Sequence, residues 1–245
     1  MKILVCITHV PDTTSKISFT DGNTQFDKTG VQFIIGPYDD YALARAVELK
    51  EQSNGTITVL NVGEAETEPT LRKALAIGAD DAIRVNANPT DSYFVANQIA
   101  AIAKEHQYDL ILMGRESIDF NSGAVHGMVG EILGIPSLSP IMTLDIDGTT
   151  AKMTREIEGG KETLEAELPL VLGCQEPIAE WKIPNMRGIM TARSKPLNVV
   201  EPTDNSVRTQ LKEYQMPPAK GAVKMISADN VSELVNLLKN EAKVI

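Results

Sequence analysis

Asp109-Leu110-Ile111-Leu112-Met113-Gly114-Arg115-Glu116-Ser117-Ile118-Asp119-Phe120-Asn121-Ser122-Gly123-Ala124-Val125-His126-Gly127 is the stretch that decides the fold. Leu110 to Met113 is an unbroken apolar run, the pattern of a parallel strand buried on both faces. Gly114 ends it, a polar loop follows, and the chain enters a helix that ends near Leu133. A strand, a glycine-punctuated loop and a helix make one unit of an α/β fold.

The same grammar repeats towards the N-terminus. Ile3 to Ile7 is a second buried strand, followed by a polar excursion with turns at Asp21-Gly22-Asn23 and Lys28-Thr29-Gly30. A helix is expected from about Asp39 to Glu51. Asp39 would cap it, Leu43, Ala46 and Val47 would face inward, and Asn54-Gly55 would end it. Ile57 to Val62 and Ala82 to Val85 read as strands, with a helix near Glu68 to Ala76 closed by Gly78. Ser92 to Glu105 is the clearest helix, with Val95, Gln98, Ile99, Ile102 and Ala103 on one face.

Beyond about Pro140 the period changes. Leu144 to Met153 reads as a hairpin turning at Asp147-Gly148, Gly159-Gly160 marks another turn, and Leu164 to Leu168 alternates. Leu168 to Cys174 is again a buried strand. From Gln175 onward, prolines at 177, 184, 196, 202, 217 and 218 leave no sustained period. Such a stretch buries little surface alone and is expected to lie on something else. A last amphipathic helix, Asn230 to Ala242, carries Val231, Leu234, Val235 and Leu238. The fold class is therefore α/β: a doubly wound, mostly parallel, Rossmann-like sheet with an antiparallel extension and an extended C-terminal arm. The division falls at 1–200 for the α/β domain and 201–245 for the arm.

The chain has 245 residues, 33 of them acidic and 23 basic, for a formal charge of -10. That charge repels nucleic acid and anionic membranes. No apolar run approaches the roughly 20 residues that span a bilayer. Met1-Lys2 leads into a segment too short and too β-branched for a signal peptide. Cys6 and Cys174 lie inside apolar segments as core thiols, which suits a reducing, cytoplasmic setting.

Ligands of doubly wound sheets bind beyond the carboxyl ends of the strands, at the switch in strand order. The loops placed there are Thr8 to Asp12, Gly36 to Asp39, Val62 to Ala65 and Gly114 to Gly127. In the last, small residues Ser122 and Gly123 bare the first amides of a helix, which suits a phosphate. Asn121 and Ser122 can add donors and Arg115 a charge, although glycines in such loops also serve the turn alone. Asp119 can bind a ribose or cap the loop backbone. His126 stands without a second histidine or cysteine at metal spacing, and reads as a structural or ligand-contacting residue. No catalytic triad, paired carboxylates or metal cluster is discernible. Trp181 and Ile183-Pro184-Asn185-Met186 form an apolar cluster in an aperiodic loop, either a partner contact or a segment packed on its own domain.

In these same segments the chain resembles the electron-transfer flavoprotein beta subunit along nearly its whole length. The resemblance rests on Ile3 to Asp12, Gly36-Pro37-Tyr38-Asp39, Ala46 to Lys50, Leu71 to Asp80, Asp109 to Arg115, Ile118-Asp119, Arg155 to Gly160 and Ile183 to Met190. It implies a non-catalytic electron carrier that forms a heterodimer with an alpha subunit around a redox-active FAD. By the same resemblance, such a carrier would serve acyl-CoA or other flavin dehydrogenases and a downstream acceptor. The beta subunit would hold AMP, or a second FAD if electron-bifurcating. By the match the nucleotide touches Cys6, Gly36, Pro37, Tyr38, Asp39, Val62 and the stretch from Asp119 through Ser122, Gly123, Ala124, Val125, His126 and Gly127 to Gly130. Residues 175–195 would form the recognition loop with Ile183 as its inserted apolar residue, and 201–245 would pack on alpha. The chain departs from the family at Val125-His126, where ordinary members carry Thr-Gly and bifurcating members Val-Gly. An imidazole there leaves less room for a pyrophosphate, which favours AMP, whereas Val10 to Thr13, Pro37-Tyr38-Asp39 and Val125 lean towards the FAD-binding type. A stand-alone nucleotide-binding protein of the universal-stress type is the remaining alternative.

Overall fold

The computed structural model describes residues 1–89, 91–204 and 206–245. In chain order the strands are β1 (Lys2–Cys6), β2 (His9–Pro11), β3 (Phe19–Thr20), β4 (Gln25–Phe26), β5 (Phe33–Ile35), β6 (Thr56–Val62) and β7 (Asp81–Val85). They continue with β8 (Leu110–Gly114), β9 (Ser137–Asp147), β10 (Thr150–Ile157), β11 (Gly160–Glu167), β12 (Leu170–Cys174) and β13 (Leu197–Val200). The helices are α1 (Pro37–Ser53), α2 (Glu68–Ile77), α3 (Ser92–His106), α4 (Val125–Leu133), α5 (Met186–Ala192) and α6 (Val231–Asn236).

Nine strands form one sheet in the order β11-β10-β9-β12-β8-β1-β6-β7-β13. The six pairings from β9–β12 across to β7–β13 are parallel, and β9, β10 and β11 pair antiparallel. The sheet is therefore mostly parallel with an antiparallel extension, as the change of period near Pro140 implies. The polar excursion after β1 folds into two small ribbons, β2–β5 and β3–β4.

Alternation along the central strand divides the core into two layers. Ile3 and Val5 of β1 pack with Leu43, Ala46 and Val47 of α1 and Leu71, Ala74 and Leu75 of α2. Leu4 and Cys6 point the other way, towards Phe94, Ile99 and Ile102 of α3 and Val129 of α4. Both cysteines are free and buried.

Three expectations need correction. Asp39 does not cap α1: the helix starts two residues earlier at Pro37, with Gly36 in the cap position. Proline suits the first helical position because its φ is already helical and its missing N–H would be unpaired there anyway. Asp39 thus sits inside the first turn, buried. The aperiodic stretch after Gln175 is also more ordered on its own domain than its prolines suggest. It forms α5, packed against α2, and β13, which pairs parallel to β7. A four-residue strand needs no period of its own when an existing strand offers it a ladder. The last helix is shorter than expected as an α-helix, with Leu237–Glu241 continuing as a π-helical turn. Val231, Leu234 and Val235 on it are exposed.

Candidate functional site

The strand order switches at β1. The chain leaves β1 through α1 to β6 and β7 on one side, then returns through α3 to β8 on the other. The loops after β1 and β8 therefore diverge at the carboxyl edge, and the N-termini of α1 and α4 approach that edge from opposite faces.

One carboxylate ties these loops together. Asp39 Oδ2 accepts Thr8 N–H at 2.8 Å and Thr8 Oγ1–H at 2.6 Å, and Oδ1 accepts Gly114 N–H at 2.8 Å. Burial dominates its acidity and raises its pKa to about 6, against the opposing pull of those three donors. The packing demands glycine on both sides. A Cβ at Gly36 would strike Thr8 Oγ1 and Asp39 Oδ2, and one at Gly114 would meet Asp39 Oδ1 and Tyr38 Cβ at 2.7 Å. Gly36 and Asp39 thus fix the floor of the site. Cys6 and Val62 are buried at the ends of their strands, and burial raises the Cys6 thiol far above its ordinary value.

The wall is Arg115. Its guanidinium lies over the Tyr38 ring, 4.8 Å from the centroid, and Nη1 donates to Gln175 Oε1 at 2.8 Å. Nη2 stands 3.4 Å from Glu116, while Nε has no partner among the described residues. Gln175 passes the link on to Glu156 at 3.0 Å. Arg115 is thus a half-buried cation held beside the switch, with its charge shared with the protein.

The loop from Arg115 to α4 closes on itself. Ser117 and Ser122 exchange backbone hydrogen bonds, N–H to O, at 3.2 and 3.3 Å. Asp119 Oδ1 accepts from Ser117 Oγ and from Phe120 N–H, so its side chain braces the loop. Asn121 holds a left-handed backbone, φ 47°, and is exposed, as is Gly123. The Ser122 hydroxyl bonds Ser92 Oγ at the start of α3, 2.7 Å away. At the start of α4, Ala124 is the cap residue and contributes no side-chain bond, so the amides of Val125, His126 and Gly127 have no capping side chain among the described residues. They are the groups an anion would meet.

His126 turns inward. A Cβ on Gly173 would lie 3.0 Å from His126 Cδ2, so the ring covers that glycine of β12. Burial lowers its pKa, with a hydrogen bond to the Arg115 backbone opposing. Gly127 faces open space. Among the described residues no cluster of three or more His, Cys, Asp or Glu could hold a metal ion, and no helix is long and apolar enough to cross a membrane.

The structure brings together Cys6, Gly36 to Asp39 and Arg115 at one edge, with the loop to Gly127 beside them. Ile183, Pro184, Asn185 and Met186 lie elsewhere, at the start of α5. Ile183 and Met186 are each 76% exposed, and Trp181 is exposed as well. Thr8 lies in the loop that the sequence already placed at this edge, whereas Ser92 and Gln175 escaped the sequence reading, because they reach the site only through long-range packing.

The family of the electron transfer flavoprotein domain matches residues 23–205. A protein of Bacillus subtilis named electron transfer flavoprotein subunit beta is 38% identical, with all of both chains covered. Another of that name, from Syntrophomonas wolfei, is 34% identical over all of this chain and 98% of its own. A protein of Acetobacterium woodii, named caffeyl-CoA reductase-Etf complex subunit CarD, is 30% identical over 99% of this chain and 98% of its own. Full-length similarity at this level, on a fold of the expected class, leads to one conclusion: the chain belongs to the electron-transfer flavoprotein beta-subunit family, a family of electron carriers.

Proposed function

We propose that this chain is the beta half of a heterodimeric carrier in the cytoplasm. It joins an alpha subunit around FAD and passes electrons from flavin dehydrogenases to a downstream acceptor, with no bond chemistry of its own. In its own carboxyl-edge site it holds AMP. The observation that supports the nucleotide reading is the start of α4, where the cap residue Ala124 offers no side-chain acceptor and leaves the first amides of the helix to a phosphate, at the end of the loop that begins with Arg115. Gly36 to Asp39, Cys6 and Val62 would line the adenosine side, and residues 119–127 the phosphate side. Residues 1–200 act as the nucleotide-binding domain and 201–245 as the arm on alpha. Ile183 to Met186 dock the dehydrogenase.

A second reading is a bifurcating beta subunit with a second FAD. The inward turn of His126 favours it, because the ring covers Gly173 and leaves the Gly127 side open to a longer ligand. Acid extraction of the co-expressed heterodimer, with FAD and AMP quantified, separates the two. One FAD and one AMP per dimer are expected. Two FAD would establish the second reading, and no nucleotide beyond one FAD would refute the phosphate site itself.

A further inference from the structure

Helix α5 presents a puzzle of stability. It has seven residues, too few to persist on helical propensity alone. Of its side chains only Ala192 is buried, while Met186 and Met190 are 76% and 72% exposed. Ala192 alone of its side chains enters the core beside Leu71, Ala74 and Leu75 of α2. The hydrogen bonds that tie the two helices are directed at the backbone.

Arg72 of α2 donates from Nη1 to Ala192 O at 2.9 Å and Lys195 O at 2.8 Å. These are carbonyls at and just past the C-terminal end of α5. Lys195 reaches back and donates from Nζ to Leu75 O at 2.8 Å and Ala79 O at 2.5 Å, at the C-terminal end of α2. The end of α5 thus receives a cation from α2, and the end of α2 one from the turn just past α5, where unpaired carbonyls and the helix dipole favour one. At the opposite end of α5, Asn185 Oδ1 accepts Gly188 N–H at 2.8 Å. Gly188 then lies so close to Ala76 O that a Cβ would overlap it. Met186 and Met190 take no part in this attachment and face outward.

We infer that Arg72 and Lys195 are positioning residues: a reciprocal clamp between the ends of α2 and α5 that presents Ile183, Met186 and Met190 at a fixed angle to a dehydrogenase pocket. This rests on the docking reading of residues 183–186 given above. A segment oriented in advance loses less freedom on binding, so the clamp acts on encounter affinity and not on electron transfer within the complex.

The test uses the heterodimer, with a purified acyl-CoA dehydrogenase reduced by its substrate as electron donor. Amide hydrogen exchange is read over residues 185–195 alongside steady-state kinetics. Arg72→Met is expected to speed exchange in this segment about tenfold and to raise KM for the dehydrogenase about fivefold. The kcat and FAD content should stay at wild-type values. Arg72→Lys, which keeps the charge, should recover part of both. If Arg72→Met prevents assembly, Lys195→Gln serves for the same comparison. Unchanged exchange in a dimer whose Ile183→Ala variant still shows a raised KM overturns the clamp alone. Faster exchange with unchanged KM overturns its positioning role. An Ile183→Ala variant with wild-type KM instead refutes the docking reading, and the inference with it.

Discussion

Asp39 and Gly114 lie 75 positions apart in the chain, yet the carboxylate of one accepts the backbone N–H of the other at 2.8 Å. With Thr8 on its other oxygen, Asp39 locks the two loops that diverge at the switch. Asparagine has only one acceptor oxygen. With that oxygen on Thr8, its amide would face the Gly114 N–H, donor against donor. Asp39→Asn is expected to cost about 1–3 kcal/mol by leaving a buried donor unpaired. Urea unfolding of the two proteins at one pH measures it, and equal midpoints would show that the bond does not hold the loops.

The same residue sets a pH dependence. Its folded pKa, raised to about 6, lies above the roughly 3.9 of an unfolded aspartate. The folded state therefore binds the proton more tightly. That contribution to stability is complete below about pH 4 and is lost as pH rises through about 6. Asp40 is raised to about 6 as well, by burial and against Lys73, so it titrates in the same window. The gap between wild type and Asp39→Asn should narrow between about pH 4 and 7, with Asp40→Asn as the companion control. A gap that stays constant across that range contradicts the assignment.

His126→Gly removes the ring that covers Gly173 and puts glycine in the first turn of α4. A loss of roughly 1–2 kcal/mol in stability is expected from the two effects together. AMP content should be unchanged, since the ring faces the sheet. A second FAD appearing only in this variant would mean that the imidazole excludes the larger nucleotide.

Ile183→Ala should slow electron transfer from the dehydrogenase, at a cost of about 2 kcal/mol or more in docking for a well-seated anchor. The flavin spectrum should not change, because Ile183 is 76% exposed and touches neither core layer. Loss of flavin would assign the residue to the fold instead.

Truncation after Pro202 should leave the α/β domain folded but abolish co-purification with alpha, because the arm leaves Val223, Met225, Val231 and Val235 exposed in this chain. A heterodimer recovered at wild-type yield would refute the arm's role.

Much of the fold was legible in the sequence because buried parallel strands read as apolar runs. Leu110 to Met113 and Leu170 to Cys174 are entirely buried, and Gly148 turns its hairpin with φ 62° where Asp147-Gly148 said it would. What was hidden depends on partners distant in sequence. Nothing near Leu197 to Val200 announces a strand; the strand exists because β7 has a free edge. Asp39 resembled a helix cap by residue type, and only the approach of Thr8 and Gly114 makes it a buried cross-brace. Arg115 was legible as a cation, whereas its engagement with Tyr38 and Gln175 was not, because those residues meet it through the order of strands in the sheet.

The two margins of the sheet are protected differently. β11 ends one side with Lys161, Glu162, Glu165 and Glu167, charges that discourage another strand from adding to it. The other side relies on β13, four residues long, held by its ladder to β7 and by Leu197 and Val200 packed on the core layers. If β13 peels away, it bares Ala82, Ile83 and Val85, an apolar strand with unpaired amides and no charge except Asp81 and Arg84 to deter a stranger. Shortening the chain to before Leu197 would therefore do more than remove a partner contact: it would turn a well-behaved domain into one that adds strands from its own copies and precipitates. The boundary between a usable fragment and an aggregating one lies within the few residues from Leu197 to Val200.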